Sequence, residues 1–287
     1  MRVIGVDIGG TNIRAALISR GKIIKNVSVE TQANKGQAKV LQNIIYAISQ
    51  VNQNAEFIGV GSAGLLDDKK GIILHASNLQ LSNVPLKAII SRKFHLPVSL
   101  DNDANCFTLG EALYGAGKGY KNVIGLTLGT GVGGGIVISK KLYRGRGNAG
   151  EFGHATIKFD SGKSGCGNNG CLEEYAGKKA IIKLAKRHNL QIKSPFELYQ
   201  LAARNKKAKQ VFQQLGFFLG ISVTNLINIF DPDIVVIGGQ IANSWQYFAP
   251  MLKQTVKQRC RIKNTKICKA QLSNAALLGA AALYAEH

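Results

Sequence analysis

Two glycine-rich segments begin 120 residues apart, at Val3 and Val123, and align without a gap. The first reads Val3-Ile4-Gly5-Val6-Asp7-Ile8-Gly9-Gly10-Thr11 and runs on to Ser19. The second reads Val123-Ile124-Gly125-Leu126-Thr127-Leu128-Gly129-Thr130-Gly131 and runs on to Ser139. Each is an apolar, β-branched run, a tight cluster of Gly and Thr, and a second apolar run, the pattern of a β-hairpin. A turn of this composition has few Cβ atoms in the way, so its N–H groups can line a nest for phosphate oxygens. Two nests on a duplicated scaffold predict two domains facing one polyphosphate.

The 287 residues suffice for two domains, each with its own core. An apolar share of 45% against 18% charged residues is that of a globular protein, and no apolar run approaches the roughly 20 residues of a membrane span. A first strand at Arg2 leaves no room for a signal peptide, so the expected location is cytoplasmic. Five cysteines, of which only Cys166 and Cys171 are neighbours, do not form a disulfide framework. A net charge of +21 invites a polyanion, but the basic residues are scattered. Those from Lys178 to His188 alternate with Ile181, Ile182, Leu184 and Ala185 at helical spacing, as on a solvated helix face. No recognition motif accompanies the charge, and specific nucleic-acid binding is not expected.

Helices are expected over 37–51, 86–94, 104–114, 173–188, 208–229 and 274–284, and strands over 23–29, 55–61, 97–100 and 234–237. A polar loop is expected over 158–170. This alternation points to mixed sheets covered by helices. Gly115, Gly117 and Gly119 mark the domain boundary, which falls between residues 116 and 117. The run Gly129 to Gly134 matches the dinucleotide fingerprint, yet a strand, Ile136-Val137-Ile138, follows where that fingerprint requires a helix.

Asp7 ends the first strand at the mouth of a glycine turn. A carboxylate beside a phosphate nest calls for a cation between them, which implies Mg²⁺ bridging protein and nucleotide, through water or directly; a local turn role is the alternative. Asp101, Asn102 and Asp103 stand at a strand-to-helix junction. An Asp there can orient a substrate hydroxyl and accept its proton, while another of the three caps the helix. Spacing alone does not assign these roles. Glu151, His154, Cys166, Cys171 and Glu173 concentrate in residues 150–173, and the two glutamates beside small glycines read as acceptors for a neutral polyol.

These motifs resemble those of the ROK family of sugar kinases and repressors, in the sugar kinase, actin and Hsp70 superfamily. The resemblance spans essentially the whole chain: DIGGTNIRAAL at 7–17, LDNDAN at 100–105, LTLGTGVGGGIV at 126–137, GNAGEFGH at 147–154, CGNNGCLEEYAG at 166–177 and IGGQIA at 237–242. It implies two ribonuclease-H-like, actin-like ATPase domains of mixed α/β type around an interdomain cleft, with the last helix returning to the first domain: a smaller N-terminal domain of residues 1–116 and 274–287 and a larger C-terminal one of residues 117–273. It selects Asp103 as the base. It implies that Gly64, Asn78, Asn102, Asp103, Glu151, His154 and Glu173 contact the sugar. Phosphates would meet Gly9, Gly10, Thr11, Asn12, Thr130 and Gly131, with Gly238 and Gly239 near adenosine. A zinc site is implied at His154, Cys166 and Cys171, one ligand short because Ser164 stands where the family pattern has a cysteine.

The expectation is an ATP- and Mg²⁺-dependent hexokinase, glucokinase-like, acting on the 6-hydroxyl of a hexose and assembled as a homodimer or homotetramer. The alternatives are an N-acetylmannosamine, mannose, fructose or allose kinase, a polyphosphate-dependent glucokinase, and a sugar-responsive regulator. The regulators of this family carry a helix-turn-helix domain ahead of a core that here begins at residue 3, and polyphosphate-specialised members lack the cysteine loop; both points favour the ATP-dependent enzyme.

Overall fold

The computed structural model describes residues 1–286. In chain order it begins with a meander of β1 (Arg2–Ile8), β2 (Asn12–Ser19) and β3 (Lys22–Glu30), then α1 (Gln37–Val51) and β4 (Phe57–Ser62). Three short strands follow, β5 (Leu65–Asp67), β6 (Ile72–Ala76) and β7 (Leu81–Val84), then α2 (Leu86–Phe94), β8 (Val98–Asn102) and α3 (Asp103–Tyr114). The second half carries β9 (Val123–Leu128), β10 (Val132–Ile138), β11 (Lys141–Leu142), α4 (Glu173–Ala176), α5 (Lys178–Arg187), α6 (Pro195–Ala202) and α7 (Lys206–Phe230). It closes with β12 (Ile234–Gly238), α8 (Trp245–Arg259), β13 (Lys266–Lys269) and α9 (Ala275–Ala282). No helix among the described residues is long and apolar enough to cross a membrane.

The mixed α/β architecture is the one expected, and the duplication extends beyond the hairpins. One five-stranded sheet has the order β3-β2-β1-β4-β8 and the other β11-β10-β9-β12-β13, the same succession of antiparallel meander and parallel strands. In β1 every residue from Val3 to Ile8 is buried, as befits a central strand covered on both faces. The small antiparallel sheet β5-β6-β7 was not foreseen; its strands of three to five residues are too short to show a period.

The chain divides into two compact units. The first holds Met1–Lys121, Gly135–Gly150 and the stretch from Gln271 to the C-terminus; the second holds Asn122–Gly134 and Glu151–Ala270. Residues 135–150, which the motif reading placed in the C-terminal domain, thus group with the first unit. There Gly135 lies so close to α3 that a Cβ on it would stand 2.4 Å from Thr108 Oγ1. α9 packs on the first sheet and on α3 through glycines: a Cβ on Gly5 of β1 or Gly59 of β4 would come within 2.1 or 1.8 Å of the carbonyl oxygens of Leu277 and Ala280, and one on Gly110 of α3 within 2.0 Å of that of Ala275. Backbone-to-backbone approach of this kind admits only a missing side chain.

Helix ends supply further corrections. The expected helix 173–188 is broken at Gly177, which adopts an extended conformation between α4 and α5. α6, not foreseen, is capped by Ser194, whose hydroxyl accepts from Glu197 N at 3.2 Å, with Pro195 as the first helical residue. α8 also went unforeseen; Pro250 inside it argues against a helix in sequence. The basic face of α5 is solvated as expected, with Ile181 and Ala185 buried opposite it.

Candidate functional site

In the first unit, three parallel strands end side by side. The register places Asp7 of β1 beside Gly61 of β4, and Gly61 beside Asp101 of β8. Ligands of α/β sheets gather at such carboxyl ends. Asp7 is buried and accepts from Arg14 Nε at 3.1 Å and, more closely, from its Nη2. Arg14 therefore supplies at least part of the positive charge expected beside this carboxylate. The hairpin already encoded this pair: with Ile8 opposite Ile13, Asp7 faces Arg14.

The turn after β1 is held from within. Thr31 donates from Oγ1 to the Gly9 carbonyl at 2.6 Å and from N to the Thr11 carbonyl at 2.9 Å, and Gly9 N donates to Asn12 O at 3.0 Å. In a trans peptide the N–H points opposite to its carbonyl, so Gly10 N–H and Asn12 N–H are directed away from Thr31. Gly10, Thr11 and Asn12 are exposed. Asn78, in the turn Ser77–Leu79, lies against this segment: a Cβ on Gly10 would be 3.5 Å from the Asn78 Cβ. Gly64 has φ +110° and packs against His75 O and Ala76.

At the β8–α3 junction the capping question is resolved. Asn102 is the N-cap, its Oδ1 accepting from Ala104 N at 2.8 Å and Asn105 N at 3.4 Å. Asp103 is the first helical residue, half-buried, with Oδ1 accepting from Ala104 N at 2.9 Å. Asp101, 3% exposed, is the hub beneath them. Its Oδ1 accepts from Asn102 N and from Asn105 Nδ2, both at 2.8 Å, and its Oδ2 accepts from Arg144 Nε at 2.7 Å. Arg144 also meets Glu286 Oε2 at 3.2 Å and Asp68 Oδ2 at 3.9 Å. Burial pulls the Arg144 pKa down, but the Asp101 and Glu286 carboxylates outweigh it and the net shift is upward. Cys106 is buried beneath Gly61. Its thiol is pushed well up by burial first and then by Asp101, Asp103 and Asp7, three carboxylates acting on one atom. No sequence signal pointed to Arg144, which lies 43 residues from Asp101.

In the second unit, Gly129–Gly131 joins β9 to β10, with Gly129 N donating to Gly131 O at 2.9 Å. Gly238 pairs in register with Thr127, and Gly239, at φ +86°, would carry a Cβ 2.3 Å from Leu128 O, so this glycine pair lies beside the end of β9, just before the Gly129–Gly131 turn. Glu151 and His154 bracket a short helical turn, His154 Nε2 standing 3.8 Å from Glu151 Oε2, with both side chains about half exposed. Glu173 opens α4, and its Oε2 accepts from Val132 N at 2.9 Å.

The expected polar loop closes on itself through the bridges Thr156↔Cys171 and Lys163↔Asn169. One ligand atom each from His154, Cys166 and Cys171 lie within 4.8 Å of one another. The two sulfurs are 3.4 Å apart, and Ser164 Oγ sits 3.0 Å from Cys166 Sγ and 3.2 Å from Cys171 Sγ. Sulfur ligands of a tetrahedral zinc ion lie about 3.8 Å apart, so the paired thiols with His154 are a donor set of the kind zinc takes, while Ser164 puts a hydroxyl, a poorer ligand, beside them. The hydrogen bond from Ser164, followed by that from the Asn168 backbone, lowers the Cys166 pKa to about 7.

A family model described as ROK matches residues 3–287. The chain belongs to the ROK family. It is 36% identical over 278 residues to a glucokinase of Thermotoga maritima, covering 89% of this chain and 87% of that protein. It is 32% identical over 302 residues to a xylose repressor of Caldicellulosiruptor bescii, covering 96% and 76%. The solved structure of a ROK glucokinase from Streptomyces griseus, in complex with glucose and AMPPNP, superposes with a TM-score of 0.86 at 31% identity, covering 99% of both chains. ROK sugar kinases have the two-domain actin-like fold, and the paired five-stranded sheets described above are that fold in this chain.

Proposed function

We propose that the chain is an ATP-dependent, glucokinase-like hexose kinase that transfers a phosphoryl group to the 6-hydroxyl of a hexose, with Asp103 as general base. The observation that carries this reading is the junction after β8. Asn102 takes the capping role, so Asp103 is not needed as a cap, while Asp101, Asn105 and Arg144 fix the segment beneath it. A carboxylate held this way suits accepting a proton from a hydroxyl as the new bond to phosphorus forms.

Asn102, Glu151, His154 and Glu173 would hold sugar hydroxyls, with Gly64 and Asn78 on the turn side. Gly10 and Asn12 N–H, with Thr130 and Gly131, would meet phosphates, and Gly238–Gly239 would pack near adenosine. Asp7 would hold Mg²⁺ through water, with Arg14 sharing its charge; the ion would neutralise charge developing on the phosphates. His154, Cys166 and Cys171 would hold zinc, whose contribution is to fix the loop.

Asp103→Asn tests the base. Turnover should fall by about a hundredfold or more while binding of glucose, measured by calorimetry, largely survives. Undiminished turnover would refute the assignment. A coupled assay crossing a panel of hexoses with ATP and polyphosphate identifies acceptor and donor. The likeness to xylose repressors supports a second reading, a sugar-responsive regulator. Sequence-specific DNA retention at physiological salt, without phosphoryl transfer to any hexose, would favour it.

A further inference from the structure

The second glycine turn is shaped by a carboxylate that reaches it from 41 residues away. The Val132 N–H, at the start of β10, donates to Glu173 Oε2 at 2.9 Å. That oxygen also occupies the space where a side chain at position 131 would begin: a Cβ on Gly131 would stand 2.1 Å from it. On the opposite flank Lys178 N donates to the Gly129 carbonyl at 3.0 Å, and a Cβ on Gly177 would lie 3.2 Å from the Thr130 carbonyl. A side chain at 131 would push the Glu173 carboxylate away from the turn, so glycine there keeps this contact open whether or not a phosphate ever binds.

The peptide between Gly131 and Val132 is pinned at both ends. Gly129 N holds its carbonyl at 2.9 Å, and Glu173 holds its N–H. Because the peptide unit is planar, fixing both groups fixes the orientation of the plane and of the Thr130–Gly131 segment before it. Donors aligned before a ligand arrives need not be ordered on binding, which raises affinity.

We propose that Glu173 is a positioning residue for the nucleotide's phosphates, a strut from α4 that holds the Gly129–Gly131 turn in its anion-binding shape. The proposal rests on reading that turn as a phosphate site. It also makes the nucleotide side and the sugar side share one carboxylate, with Oε2 committed to the turn and Oε1 left as the acceptor for a sugar hydroxyl. Loss of the side chain then weakens nucleotide binding even when no sugar is present.

Calorimetric binding of AMPPNP with Mg²⁺, without sugar, separates this role from sugar contact. Glu173→Ala should weaken binding by about tenfold or more, whereas Glu173→Gln, whose amide oxygen can still accept the Val132 N–H, should stay within about threefold of the parent. Hydrogen exchange at the Val132 amide gives a readout independent of any ligand: faster by about tenfold in the alanine variant and near parental in the glutamine variant. Unchanged AMPPNP affinity in Glu173→Ala, unchanged exchange at Val132, or a glutamine variant as weak as alanine would each overturn the proposal. If the parent protein itself fails to bind AMPPNP, the kinase reading falls and takes the nucleotide half of this proposal with it, while the exchange result still decides whether Glu173 is a strut.

Discussion

Replacing Glu111 by Gln should destabilise the first unit by about 2–4 kcal/mol. Glu111 lies in α3 with no exposed surface, and its carboxylate is filled by backbone donors. Oε1 accepts from Leu272 N at 2.7 Å and Gln271 N at 3.1 Å; Oε2 accepts from Ala116 N at 2.8 Å. The residue therefore ties the end of α3 to the segment that leads into α9. A hydrogen bond to a charged acceptor contributes about 1.5–3 kcal/mol net. Glutamine keeps one oxygen. If that oxygen serves Leu272 and Gln271, its NH₂ faces the Ala116 N–H, so one charged bond is lost and two donors are set against each other; hence the figure above. Alanine strands all three donors, and the loss should reach about 3–6 kcal/mol once partial entry of water is allowed. Urea unfolding measures the loss, and hydrogen exchange along 271–282 should quicken in the same order. A glutamine variant within about 0.5 kcal/mol of the parent would show that the carboxylate does not anchor the return segment.

Other outcomes follow from the same geometry. Arg144→Ala leaves Asp101 as a buried, unpaired charge and should cost about 3–5 kcal/mol; with Asp101→Asn, a double-mutant cycle should return a coupling above about 1 kcal/mol, and a value near zero would deny the pairing. Gly59→Ala should cost about 3 kcal/mol or more in thermal unfolding, because the new Cβ would sit 1.8 Å from the Ala280 carbonyl oxygen; a neutral result would mean that α9 yields freely. Ser164→Cys should tighten Co²⁺ binding and raise the thiolate-to-cobalt charge-transfer absorption by roughly half, as two thiolates become three; an unchanged spectrum would place the Ser164 corner outside the coordination sphere.

The readings that succeeded from sequence share a property: their signal lies within a few residues. The hairpin turns, the limits of α1 and α2, and the solvated face of α5 follow from local periodicity and from glycine placement. Even the Asp7–Arg14 pair was implicit in the hairpin register. α6 was legible too, since Ser194 and Glu197 spell a capping signature three residues apart. What could not be read were contacts across long separations, such as Asp101 with Arg144 and Val132 with Glu173, for which no local pattern exists.

Sequence by itself determined that two glycine turns on a duplicated β framework would be present, and which acidic, hydroxyl and thiol side chains accompany them. Covalent order and backbone preference are enough for that. Only tertiary structure decided that Asn102 rather than its neighbours caps α3, that Arg144 and Glu286 close over Asp101, that α9 fills the glycine groove of the first sheet, and that Glu173 reaches the second turn. Those outcomes depend on which buried donor finds which acceptor once apolar surfaces have packed, and a buried polar group takes whatever partner the fold brings within about 3 Å.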